Sequence, residues 1–271
     1  TPTAMPMQMH MLGAMWAPTD ALTLMGMVPF VSATMDHVSR MSLMADPDAV
    51  AFTTESGGLG DVTLAALYVL ARPERQRVHA GLGVSLPTGS VEERDRTPMG
   101  EDQLLPYPMQ TGSGTVDLRP SLTYLGQATA WSWGAQARAV VRLTDNTFEY
   151  RFGNVYAGTA WAARRLHEAL SLSLRADAQT WGDVSNDLSG TNELPYESAV
   201  EGRVVPTVFP DLRGGTRLDL SLGLNAEVPG GPLHGVRLAA EVGRPVYQSL
   251  DGPQLETDWV VTVGAQYAFA L

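Results

Sequence analysis

The chain has 271 residues, 44% of them hydrophobic, and no cysteine, which removes disulfides, thiolate metal sites and cysteine nucleophiles together. Its net charge is −11 and every basic residue is arginine, a balance poorly suited to tracking phosphate backbones, so no nucleic-acid partner is expected. No run approaches the ~18 apolar residues a spanning helix needs, and no composition break divides the chain, which reads as one domain over residues 1–271.

A mean hydropathy of −0.05 suits a soluble protein. It suits a membrane barrel equally, because lipid-facing and lumen-facing residues alternate and cancel. The pattern separates the two. Eleven segments alternate with period 2: residues 5–16, 21–32, 61–71, 77–87, 114–125, 131–143, 152–164, 169–181, 214–228, 235–248 and 257–271. They are about 11 to 15 residues long, against about 5–6 for strands of soluble sandwiches and about 9–11 for a tilted membrane-spanning strand.

The first two segments are rich in methionine, and ten of the twelve methionines fall within the first 44 residues. Turning Gln8 and His10 toward the lumen places Met5, Met7, Met9 and Met11 toward lipid. In the second segment Thr23, Met25 and Met27 take the inner face, against Leu24, Val28 and Phe30 outside. Just beyond, Met35, His37 and Met41 offer thioether and imidazole donors suited to copper. Packing is the alternative use of such methionines. The glycine-rich pieces at 57–60 and 111–114 read as bends where loops re-enter strands.

Later segments give cleaner faces. From Val116, the residues Leu118, Pro120, Leu122 and Tyr124 oppose Asp117, Arg119, Ser121 and Thr123. From Leu170, leucine and alanine alternate with Ser171, Ser173, Arg175, Asp177 and Gln179. Leu218, Leu220, Leu222 and Leu224 oppose Arg217, Asp219, Ser221 and Asn225, and Val261, Val263 and Ala265 oppose Thr262, Gly264 and Gln266. A basic group on the lipid face costs about 2–4 kcal/mol near midplane. The charged alternating positions are therefore expected to line the pore: Asp61, His79, Asp117, Arg119, Arg138, Arg142, Arg175, Asp177, Arg217, Asp219, Glu227, Arg237 and Glu241. Mixed signs along each strand imply internal pairing as well.

Connections alternate in length. Residues 18–20, 73–76, 126–130, 165–168 and 229–234 are short; 33–60, 88–113, 144–151, 182–213 and 249–256 are longer and polar. Short periplasmic turns and long extracellular loops give this rhythm. Trp16, Trp131, Trp133, Trp161, Trp181 and Trp259 sit near segment ends, as interfacial girdles do. The acidic loop residues, among them Asp46, Asp48, Glu92, Glu93 and Asp95, read as a solvated surface. The fold expected is an all-β transmembrane antiparallel up-and-down barrel. Barrels of this kind normally have an even strand count, so eleven visible segments imply about twelve strands, one of them upstream of Thr1.

The stretches "GLGDVTLAALYVL", "GVSLPTGS", "YPMQTGSGTVDLRPSLTYLG", "WSWGAQ" and "DGPQLETDW…GAQYAF" resemble the meta-pathway phenol-degradation-like outer-membrane channels, in matching order from about Met9 to Phe269. The resemblance implies a twelve-stranded barrel in the bacterial outer membrane that passes small, often hydrophobic or aromatic molecules. Its partners would be membrane lipid, lipopolysaccharide and the solute, with copper as a further partner of the methionine-rich region. No cofactor is expected. The five histidines are scattered, and no GxSxG, HExxH or phosphate-binding glycine loop appears, so an enzyme is not expected. The alternative function is a structural or copper-binding envelope barrel without conductance.

Overall fold

The computed structural model describes residues 1–39, 50–98, 100–186, 208–231 and 235–268. Met41, Met44, Asp46, Asp48, His234 and Phe269 lie outside these residues. The strands are β1 (Pro2–Ala4), β2 (Met7–Trp16), β3 (Leu22–Ser39), β4 (Val50–Leu59), β5 (Thr63–Ala71), β6 (Gln76–Ser85), β7 (Arg94–Thr97), β8 (Gly100–Leu104), β9 (Asp117–Gln127), β10 (Trp131–Arg142), β11 (Tyr150–Arg151), β12 (Val155–His167), β13 (Leu170–Trp181), β14 (Ser185–Asn186), β15 (Gly215–Glu227), β16 (Val236–Leu250) and β17 (Val260–Tyr267). No described helix is long and apolar enough to cross a membrane.

Thirteen strands form one antiparallel sheet, and eleven of them run in sequence order from β2 to β17. Each pairs with its neighbour in the chain, the up-and-down pattern the alternating segments anticipate. β2 pairs only with β3 and β17 only with β16 among the described residues, so one edge of each lacks a strand partner.

The two faces of the sheet differ chemically, and that difference is what drives the strands into register. On β15 the outward Leu220, Leu222 and Leu224 are 42%, 57% and 46% exposed, values that make sense only against lipid. Their alternates Arg217, Asp219, Ser221 and Gly223 face inward, with Asp219 buried. Register carries this division across the sheet: Leu172, Leu174 and Ala176 oppose Leu224, Leu222 and Leu220, while Arg175 and Asp177 oppose Ser221 and Asp219.

β3 is longer than its alternating segment. It continues to Ser39, past the Met27–Thr63 pair where its ladder with β5 stops, and pairs there with β4 on one edge and β1 on the other. β4 falls in a stretch read from sequence as a loop. Its glycines Gly57 and Gly58 sit in the ladder opposite Ser32 and Val31, and the break comes only at residues 60–62. The result is a three-stranded extension at the long-loop end.

Candidate functional site: the lumen face and its loop strap

On β2, register settles a face that alternation left open. Met7, Met9, Met11 and Met15 oppose Ala33, Val31, Pro29 and Met25, and Gly13 opposes Met27. Met25 and Met27 in turn oppose Ala65 and Thr63, on the face shared with Ser85 and Asp117. The β2 methionines therefore face the lumen, and Gln8, His10, Leu12 and Trp16 face outward. This corrects the sequence expectation for that strand. Both of its faces carry uncharged or apolar residues, so composition alone gave no hand. Met35 and His37 also share the inner face, because the strand does continue to that point. The Met35 thioether is buried with Ala33, Leu105 and Met109, packed against Met5. The His37 ring stacks on Phe52 at 4.6 Å and is hydrogen-bonded to Thr54 Oγ1 at 3.1 Å. Met41, the third expected ligand, lies outside the described residues.

The charged inner positions divide into pairs. Arg142 is hydrogen-bonded to Asp117 between β10 and β9, and Thr115 Oγ1 donates to the same carboxylate at 2.5 Å. Arg138 forks onto Asp177 at 3.0 and 3.2 Å, reaching over β12 to β13. Arg175 reaches over β15 to Glu241 at 3.0 Å. Arg217 holds Asp219 at 3.0 Å, and Arg237 lies 3.4 Å from Glu227. Asp177 and Asp219 are direct cross-strand neighbours, an unfavourable pair of like charges that their separate arginines offset. Arg119 has a different partner: its guanidinium donates to Thr63 Oγ1 at 3.0 Å. His79 occupies the inner face of β6 opposite Val69 and Thr123. Asp61 sits in the break between β4 and β5 rather than along a spanning strand. Its carboxylate accepts from the Gly89 amide at 3.0 Å and from the Ser113 amide and hydroxyl at 2.7 Å each.

Tryptophan placement is split. Trp16, Trp131, Trp133 and Trp259 point outward and are well exposed, as girdle residues should be. Trp161 and Trp181 do not belong to a girdle, contrary to expectation. Trp161 shares the face of Arg175, whose guanidinium lies 5.8 Å from its ring, and its indole covers Gly134, where any Cβ would overlap the ring. Trp181 opposes Gly215 and donates its indole N–H to the Arg213 carbonyl at 2.8 Å. A cavity of about 800 Å³ opens on the inner face toward the short-turn end, lined in part by Trp161, Arg175, Asn225, Glu241 and Thr262.

At the other end the loop of residues 86–116 folds back. Its base is closed by Asp61 and by the contact of Gly89 with Gly112, where a Cβ on either would meet the other's backbone at 2.6 Å. The short 3-10 turn Tyr107–Met109 is its crossing point. On one side Leu105 and Met109 bury against Met35 and Ala33 of β3. On the other, Tyr107 packs edge-on to Tyr150 at 5.0 Å and to Phe152 at 6.1 Å, in a cluster with Val184 and Val208. The Arg142 guanidinium lies 5.9 Å from the Phe152 ring, so this cluster caps the inner Asp117–Arg142 pair. One strap thus joins the inner face of β3 to the loops that follow β10 and β13. Burial raises the phenol of Tyr107 and pushes that of Tyr150 up to about 12. Sequence reasoning missed the strap because its anchors, Leu105, Tyr107 and Met109, show no periodicity.

The family model described as "Putative MetA-pathway of phenol degradation" matches residues 10–231. The chain is similar to the crystal structure of an outer membrane channel from Pseudomonas putida F1, at 14% identity and a TM-score of 0.59, covering 96% of this chain and 81% of the other. NanC porin (8% identity, TM-score 0.43, covering 98% and 100%) and OmpT of Vibrio cholerae (10%, 0.44, 97% and 95%) are more distant in shape. No curated protein matches the sequence.

Proposed function

The chain belongs to the MetA-pathway phenol-degradation family, and from that premise we propose that residues 1–271 act as a single channel domain in the bacterial outer membrane that passes small, hydrophobic or aromatic solutes. The observation that carries this reading is the opposition of faces: exposed leucine and valine outside, and arginine–carboxylate pairs around a cavity of about 800 Å³ inside. The inner charges, from Asp117 on β9 to Glu241 on β16, line the pore. Lipid covers the outer face. Lipopolysaccharide meets the long-loop end, where Arg244 turns outward opposite Leu220 and lies 5.5 Å from the Trp259 ring. The function is passage and not chemistry, with no cofactor required.

The strap supports a second reading, a closed barrel that serves as an envelope scaffold. Planar-bilayer conductance of the detergent-purified chain, beside an Asp61→Ala variant with its loop base released, separates the two. Channel activity in the wild type, raised in the variant, is expected. Silence from both, with both folded, would leave the scaffold reading standing instead.

A further inference from the structure

The eight described methionines from Met5 to Met35 all face the lumen, and none faces lipid. The outward positions of the same strands go to Leu12, Leu24, Val28 and Phe30. A residue used only as a hydrophobe would be needed outside first, where burial in hydrocarbon rewards it. Here it is kept to the aqueous side, and Met7, Met9, Met11 and Met15 are 50–57% exposed there. Thioether sulfur differs from leucine in being a soft, polarisable donor.

Register brings three of these methionines side by side on one face near the short-turn end. Met15 and Met25 are direct cross-strand partners, which sets their Cβ atoms about 4.5–5.5 Å apart on one face. Met27 is two residues along β3 from Met25 and opposes Gly13. With no side chain at Gly13, Met27 leans over β2: its Cγ comes within 3.7 Å of the point a Gly13 Cβ would occupy. Met11, Met9 and Met7 continue the row toward the long-loop end at intervals of about 6.8 Å, two residues of extended strand.

We propose that Met15, Met25 and Met27 form a lumenal site for a soft monovalent cation of the Cu(I) or Ag(I) class, with Met11, Met9 and Met7 as successive positions leading to it. Charge favours the cation, since the chain carries −11 overall and its strap loop is acidic at Glu92, Glu93 and Asp95. Met35 is not part of the site, because its sulfur is enclosed in the apolar pack beneath the strap. The proposal does not depend on whether the lumen conducts organic solutes.

The test is calorimetric titration of silver nitrate, in chloride-free buffer, into the full detergent-purified chain and the Met15→Leu/Met25→Leu/Met27→Leu variant. Leucine keeps apolar volume and removes only the sulfur, and heat-modifiability on gels reports that the variant folds. Silver affinity should fall at least about tenfold, the lower end of what even indirect perturbation of a metal site costs. The Met35→Leu and His10→Ala variants should bind as wild type. Equal binding by the triple variant, loss of binding in Met35→Leu, or zinc bound as tightly as silver would each overturn the assignment. If the triple variant does not fold, Met15→Leu alone carries the comparison, and an unchanged affinity there overturns it as well.

Discussion

At the scale of single residues, inward charges follow from one physical cost, that of a bare ion in hydrocarbon. Leu222 and Ser221 are adjacent yet meet different solvents, because strand side chains alternate. Leu222→Arg should destabilise the protein in lipid vesicles by about 2–4 kcal/mol, whereas Ser221→Arg should cost much less. Urea unfolding followed by tryptophan fluorescence checks this, and equal costs would mean the register is off by one residue. What the sequence withholds at this scale is the partner. Arg138–Asp177 and Arg175–Glu241 each bridge an intervening strand, and pairings of that kind depend on stagger, which no local pattern encodes. Met7 to Met15 show the same limit. Alternation identifies two faces on β2, but only the ladder with β3 says which one meets lipid.

At the scale of elements, the spanning strands were legible because each has a lipid face that forces a hydrophobic stripe. β4 was not, since it extends beyond the barrel, where neither face needs to be apolar; its sequence through Thr53, Thr54 and Glu55 has no stripe to read. The strap was hidden for a related reason, its anchors being isolated residues in a polar loop. Its stability should be pH-dependent with a definite sign. Tyr150, pushed up to about 12 by burial, and Tyr107, raised by the same cause, are held neutral in the folded loop, whereas a solvated phenol ionises near 10. Their contribution is complete below about pH 10 and is lost as pH rises through about 12. Conductance should therefore rise across that interval together with phenolate absorbance, and Tyr150→Phe should blunt the change. Tyrosines that all titrate near 10 with no change in conductance would rule out a phenol-locked strap.

At the scale of the whole molecule, charge is distributed unevenly. The named inner-face arginines and carboxylates of β9 to β16 are largely matched in pairs, so the lumen there presents alternating rather than net charge. Much of the acidic excess lies in loops, where Arg94 and Arg96 offset only part of it through contacts with Asp102 and Glu101. Paired charges a few ångströms apart cancel at a distance, whereas a like-signed rim projects a field limited only by screening, about 10 Å at 0.1 M salt and 3 Å at 1 M. Reversal potentials in KCl gradients should therefore show a cation preference near 0.1 M that fades toward 1 M. Neutralising the rim with Glu92→Gln/Glu93→Gln should reduce the low-salt preference while leaving the 1 M value unchanged. An anion preference at low salt would place the governing charge on inner arginines such as Arg119, which is held by the Thr63 hydroxyl. A cation preference that persists at 1 M would place it on the inner carboxylates, close enough to the ion path to escape screening.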